Sequence, residues 1–162
     1  MERTEKHSPA SPQNIMHAFK QANNEIAGSK SLDEMIAAYN KVIGFCTNSA
    51  ECRSNNSIKR NTLLYWAYSN IGSSYRKKNM PLIAYTYYQK ALSVAISDQQ
   101  QIMALESMLT ETGKLDLRVK DKCRKIIKLC TRLIKIYQKN DLQEDMQRIS
   151  ALSERMLELL NK

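Results

Sequence analysis

The sequence predicts an all-α protein of about seven helices, folded as a series of antiparallel hairpins. Three observations carry that expectation. Glycine and proline number only 4 and 3 in 162 residues, too few for the tight turns of a β-rich fold. Hydrophobic residues make up 43% of the chain and recur three and four apart over long stretches, the period of one helix face. The polar stretches that interrupt this period are short and rich in cap and turn residues.

Each element has its own signal. Residues 1–12 mix charge, Ser and Pro without apolar periodicity and read as a disordered tail ahead of a single domain spanning 13–162. Ser11 and Pro12 suit the cap and first turn of a helix carrying Ile15, Phe19, Ala22 and Ile26, which Gly28 ends. Ser31-Leu32-Asp33-Glu34 has the capping-box order, and Met35, Ala38, Tyr39, Val42, Ile43 and Cys46 continue it as a second stripe. The polar segment 47–56 reads as a loop, and the third helix runs from Ser57 to Lys78. Asn79 tolerates a left-handed turn, and Pro81 opens a fourth helix bearing Ala84, Tyr88, Ala91 and Leu92.

Asp98 is placed as the cap of a fifth helix with Ile102, Leu105, Met108 and Leu109, closed at Gly113. Val119, Cys123, Ile126, Cys130, Leu133 and Tyr137 define a sixth, and Ile127, Leu129, Ile134 and Ile136 widen its stripe, so it should be covered on more than one side. Leu142, Met146, Ile149, Leu152, Met156 and Leu159 mark a narrower seventh helix that reads as a cap over the end of the stack.

Several function classes find no support. No apolar run approaches the roughly 20 residues that span a bilayer, and residues 1–13 lack the apolar segment of a secretory leader, so a soluble, cytoplasmic protein is expected. Four cysteines in such a chain read as thiols: Cys123 and Cys130 lie seven apart on one helix face as small core residues, while Cys46 and Cys52 flank a loop and have the proximity to pair under oxidation. There is no C-x-x-C, and His7 and His17 are the only histidines, so neither a metal nor a cofactor is expected. No nucleophile elbow, phosphate-cradling glycine loop or histidine set among acids is present, so no catalytic residue is assigned.

The region around Gly72 is the most specific part of the chain. Tyr68-x-x-Ile71-Gly72-x-x-Tyr75, then Ala84-x-x-x-Tyr88 and Ala91, places small residues at 72, 84 and 91 and large ones at 75 and 88. This pattern resembles the tetratricopeptide repeat, with Tyr68 where the family carries Trp and Ile96 where it carries Pro. A second, degenerate copy aligns Phe19, Asn23, Ile26, Met35, Tyr39 and Val42 with Tyr68, Gly72, Tyr75, Ala84, Tyr88 and Ala91, roughly 49 residues upstream against the usual ~34. The extra length is an insertion, the polar 47–56 loop plus extra turns on helix three. The resemblance covers about 16–98 and implies a right-handed superhelical stack: one repeat over 16–49, a second over 65–98, a third hairpin over 99–139 and a capping helix over 141–160. It further implies a non-enzymatic adaptor or chaperone-like module that holds a peptide in a concave groove.

In that frame the groove positions are Lys20 and Asn24 upstream and Ser69, Asn70, Ser73 and Arg76 in the better repeat. Some members of the family clamp the terminal carboxylates of chaperone tails through five such positions. Lys20, Asn24 and Asn70 match the first three, while the last two fall on Gln100 and Ala104. Lys128 and Arg132 have the right mutual spacing but sit on helix six. Trp66, Tyr85 and Tyr87 have no core role in this register, and either contact a partner or pack against the inserted loop.

Charge adds a second surface. The chain carries a formal +9, and from Lys114 to Lys139 ten Lys or Arg face two Asp. Arg118, Lys125, Arg132 and Lys139 repeat every seven residues with Lys128 and Lys135 beside them, a basic stripe opposite the apolar one. It suits an acidic polypeptide or a nucleic-acid backbone, although no aromatic interleaves with it to stack bases. Asp141, Glu144, Asp145, Glu154 and Glu158 on helix seven are expected to offset part of that charge. The length also resembles that of small dimeric secretion-type chaperones with three repeats, which makes a homodimer a further expectation.

Overall fold

The computed structural model describes residues 15–28, 31–48 and 57–162. The expected tail, the Ser11–Pro12 cap, most of the inserted loop and Cys52 lie outside the described residues. Seven α-helices and no strand occur among those described: α1 Ile15–Gly28, α2 Leu32–Asn48, α3 Ser57–Lys77, α4 Pro81–Val94, α5 Asp98–Lys114, α6 Val119–Lys139 and α7 Gln143–Leu160. Each packs on its neighbour in the chain, and α3 also touches α5.

Local chemistry sets the helix ends. The Ser31 hydroxyl accepts from the Glu34 amide at 3.2 Å, so α2 begins where the capping box predicts. Between α3 and α4, Asn79 takes φ 56° and the Met80 amide donates to the Tyr75 carbonyl at 3.0 Å. The α6–α7 turn repeats this device: Asp141 has φ 56° and the Leu142 amide donates to the Tyr137 carbonyl at 2.9 Å. Such a left-handed residue turns the chain back within two residues and satisfies carbonyls left open at the helix end. At the start of α5 the expected cap is displaced by one position. Ser97 caps, its hydroxyl accepting from the Gln100 amide at 3.2 Å. Asp98 instead accepts from Lys139 at 2.7 Å and Asn140 at 3.1 Å, which holds its carboxyl below the ordinary range.

The interior divides into three joined clusters. Ile36, Tyr39, Val42 and Cys46 of α2 meet Leu63, Leu64, Ala67 and Ile71 of α3. Tyr65, Ala91 and Ala104 join α3, α4 and α5. The largest cluster links α4, α5, α6 and α7 through residues such as Tyr85, Leu105, Leu133, Tyr137 and Ile149. The sixth helix is covered on two sides, as its broad stripe requires, and Cys123 and Cys130 are buried in it. Burial pushes the Cys130 thiol up. The seventh helix buries Ile149 alone and leaves Leu157 and Leu159 exposed, as an outermost helix does.

Gly72 shows why the helices stack closely. A Cβ added there meets three atoms of the Tyr88 ring at 2.9, 3.0 and 3.1 Å. The close approach is therefore a ring of α4 seated on the bare backbone of α3, with Ala84 and Ala91 fully buried to either side along α4. Tyr85, expected either to contact a partner or to pack against the inserted loop, is instead a core residue, 9% exposed, beneath the Lys125 ammonium at 4.5 Å from its ring centre. The reason is that α4 is covered by α5 and α6 as well as by α3.

Candidate functional site

Helix α3 is buried along two faces, and only a narrow stripe stays free. Leu63, Leu64, Ala67 and Ile71 pack toward α2, while Tyr65 and Gly72 are closed by α4 and α5. From Leu63 onward what remains is Trp66, Asn70, Ser73 and Arg76, about one turn apart, with Lys77 beside Arg76. The Tyr65 hydroxyl donates to the Gln100 carbonyl of α5 at 3.0 Å. Ser73 and Ser107 both approach the Tyr88 hydroxyl, which is buried and makes no full hydrogen bond. The free stripe of α3 thus runs beside that of α5, where Met103 is 41% exposed.

Trp66 stands out on this face. It is 40% exposed, and its ring meets Tyr65 edge-on with centres 5.4 Å apart. Tyr65 itself is 1% exposed and tied down by its hydroxyl, so the tryptophan rests on a fixed partner. At the far end of the stripe Arg76 lies over the Tyr88 ring, 6.0 Å from its centre, with its guanidinium still reaching solvent. Ser69 contributes less than its position suggests, because its hydroxyl is covered from solvent. Asn70 is half-buried and its carbonyl accepts from Ser74 at 3.0 Å.

Lys20 and Asn24 are exposed on α1, which packs on α2 and is tied to it by Lys41 and Glu25 at 2.8 Å. The positions that would complete a carboxylate clamp have structural duties. The Gln100 side chain accepts from the Ile96 amide at 2.9 Å, and Ala104 is buried against Tyr65. The α5 face carries instead a junction centred on Glu106, which accepts from Tyr137 and from Arg148, each at 2.8 Å. Burial, with the Glu106 carboxylate second, pushes the Tyr137 hydroxyl well above its usual range.

The basic stripe of α6 is real in space. Arg118, Lys128, Arg132, Lys135 and Lys139 are exposed, and Lys125 is half-buried over Tyr85. The expected offset by α7 is absent among the described residues, where no cation of α6 pairs with an acid of α7. Arg148 of α7 takes Asp145 at 3.1 Å and Glu106 at 2.8 Å, while Lys139 goes to Asp98 of α5. Arg118, Lys128, Arg132 and Lys135 are left without a carboxylate within 4.0 Å among the described residues.

Sequence reasoning missed Lys77 and Met103. Met103 sits beside the apolar stripe of its helix, and an apolar residue off the stripe is the signal that marks it. Among the described residues no helix is long and apolar enough to cross a membrane, and no group of three or more His, Cys, Asp or Glu is placed to hold a metal ion. Compared with known proteins, the chain matches no family model and no curated protein.

Proposed function

We propose that the chain is a non-enzymatic interaction module, an adaptor or chaperone-like binder in the cytoplasm, that holds a segment of another polypeptide along the α3–α5 face. The observation that carries this reading is the exposure of Trp66 on a fixed support, within a stripe otherwise made of an amide, a hydroxyl, a guanidinium and an ammonium. A rigid, half-exposed aromatic surrounded by hydrogen-bonding groups is the kind of anchor that dominates binding energy at interfaces. The tetratricopeptide resemblance supports the same face. Ser73 and Ser107 sit at one Tyr88 hydroxyl and Tyr65 reaches Gln100, so α3 and α5 are offset by about 34 residues, the length of one such repeat.

Trp66 is the single tryptophan of the chain, so its emission reports this face alone. Titration with an array of soluble peptides, acidic and neutral, is expected to yield ligands that shift that emission to the blue. Trp66→Ala should weaken those ligands about tenfold or more, a loss of ~1.4 kcal/mol. Arg76→Glu should weaken the acidic ones selectively. Ligands that bind Trp66→Ala as tightly as the parent chain would remove the α3–α5 face from consideration. Self-association through the same face, the homodimer alternative, would show as a concentration-dependent emission shift without peptide.

One observation favours a second reading, in which α6 follows a nucleic-acid backbone: its exposed cations are not neutralised by α7. Binding of a fluorescent RNA or DNA oligonucleotide should then fall steeply with salt. Replacing Arg118, Lys128 and Arg132 by Gln should flatten the log–log slope by about one per cation removed. Oligonucleotide binding that is weak at low salt, or unchanged in the triple variant, excludes it.

A further inference from the structure

Away from Trp66, the α3–α4 turn and the α5–α6 connection face each other across a cleft of about 470 Å³. Its walls are Met80, Leu82 and Ile83 at the start of α4, Leu115 and Leu117 of the connection, and Lys125 of α6. Leu115 is buried and forms a firm floor. The rim is different: Met80 is 41% exposed, Leu82 64% and Leu117 36%, with Val119 two residues further on at 65%. Three large exposed apolar side chains, Met80, Leu82 and Leu117, gathered at one opening are more than a scattered surface requires, and such patches mark docking sites.

Charge says what kind of segment fits. Lys125 is held over the Tyr85 ring, so its ammonium is positioned at the cleft wall. Lys114 lines the same cleft, and Arg118, Lys120, Lys122 and Arg124 follow at the connection and in the first turns of α6. Nearby acids answer little of this. Glu111 is buried beneath Lys114 at 3.3 Å, Asp121 is paired with Arg124 at 3.2 Å, and Asp116 alone faces the cleft. The volume falls in the range of small ligand pockets, room for one or two large side chains.

We propose that this cleft docks a short segment of a partner protein in which one or two large apolar side chains are flanked by Asp or Glu. The apolar side chains cover Leu82 and Leu117 and rest on Leu115, and the flanking carboxylates meet Lys125 and Lys114. The site is separate from the α3–α5 face, so the two surfaces can be occupied independently.

The test is a selection of random dodecapeptides displayed on phage against the immobilised full-length chain, followed by fluorescence anisotropy of the enriched peptides. Three variants are compared with the parent: Leu82→Asp, Lys125→Glu and Trp66→Ala. Leu82 is exposed in the first turn of α4, where an acidic residue suits the helix dipole, so Leu82→Asp keeps the fold. The expected result is enrichment of peptides with Leu, Ile, Phe or Met beside Asp or Glu, whose affinity drops at least tenfold with Leu82→Asp and with Lys125→Glu and is unchanged by Trp66→Ala.

Enriched peptides without acidic residues, or peptides indifferent to Leu82→Asp, overturn the proposal. Peptides lost only with Trp66→Ala also overturn it while leaving the α3–α5 reading intact. A dimer in sedimentation that Leu82→Asp dissolves assigns the cleft to a second copy and overturns it too.

Discussion

Gly72→Leu is expected to destabilise the protein by roughly 3 kcal/mol or more, the upper part of the range for overpacking a filled core. A chain of this length loses about 2–4 °C of melting temperature per kcal/mol, so the midpoint should fall by roughly 6–12 °C. The first added carbon already stands 2.9 Å from the Tyr88 ring, and that ring is 3% exposed, so it has nowhere to move. Gly72→Ala should cost less, because the ~1 kcal/mol by which alanine favours a helix offsets part of the strain.

A double-mutant cycle isolates the contact. Tyr88→Ala opens a cavity at the place where the new leucine must go, so Gly72→Leu with Tyr88→Ala should be more stable than the two single losses predict. A Gly72→Leu protein that melts with the parent would show that α4 does not seat its ring on α3, and the hairpin stack would lose its central contact.

How much of this was legible in the sequence depended on the range of the forces involved. Helix positions were legible because burial imposes a three-to-four period on each strip of chain, and a strip of ten residues is long enough to show it. Asn79, Pro81 and Ser31 were legible because their conformational preferences act within one turn. Asp98 was misplaced as a cap because both it and Ser97 can cap, and what decides between them is Lys139, which the fold brings from the far end of α6.

The same reason explains Tyr85 and the acids of α7. The stripe of Ala84, Tyr88 and Ala91 describes how α4 meets α3, and Tyr85 lies off that stripe because it belongs to a second interface with α5 and α6. Charge counts on α6 and α7 suggested mutual neutralisation, but pairing depends on which residues the turn at Asp141 sets opposite one another. That turn leaves Arg148 to collect Asp145 and Glu106, and the basic face keeps its charge. Of the candidate surfaces, the α3 stripe consists of positions that lie off the run of small and large residues around Gly72 that packs into the core. The apolar cleft was not legible, since its two walls are some thirty residues apart and neither connection has a periodicity of its own.

Raising the pH above about 10 should unfold the protein steeply, because its tyrosines resist ionisation only while folded. Seven of the eight, Tyr39, Tyr65, Tyr68, Tyr85, Tyr87, Tyr88 and Tyr137, have hydroxyls pushed above the ordinary value, first by burial in every case. In the unfolded chain they ionise near 10. Below that value both states carry the same protons and the folded state loses nothing. Above it the unfolded state sheds protons that the folded state keeps, so stability falls as pH rises. Each hydroxyl that stays fully protected costs ~1.4 kcal/mol per pH unit. Tyr65 and Tyr137, both 1% exposed and both hydrogen-bonded, are the firmest of the set. Together those two remove nearly 3 kcal/mol per unit, before the less buried rings are counted. Phenolate absorbance near 295 nm should therefore rise late and in step with the loss of helical circular dichroism. Tyr137→Phe should move that joint transition to higher pH relative to the variant's own neutral stability, because one protected proton is gone. If the absorbance instead completes around 10 with the helices intact, the rings are reached by hydroxide in the native state. The three-cluster core, with the face it holds Trp66 upon, would then have to be redrawn.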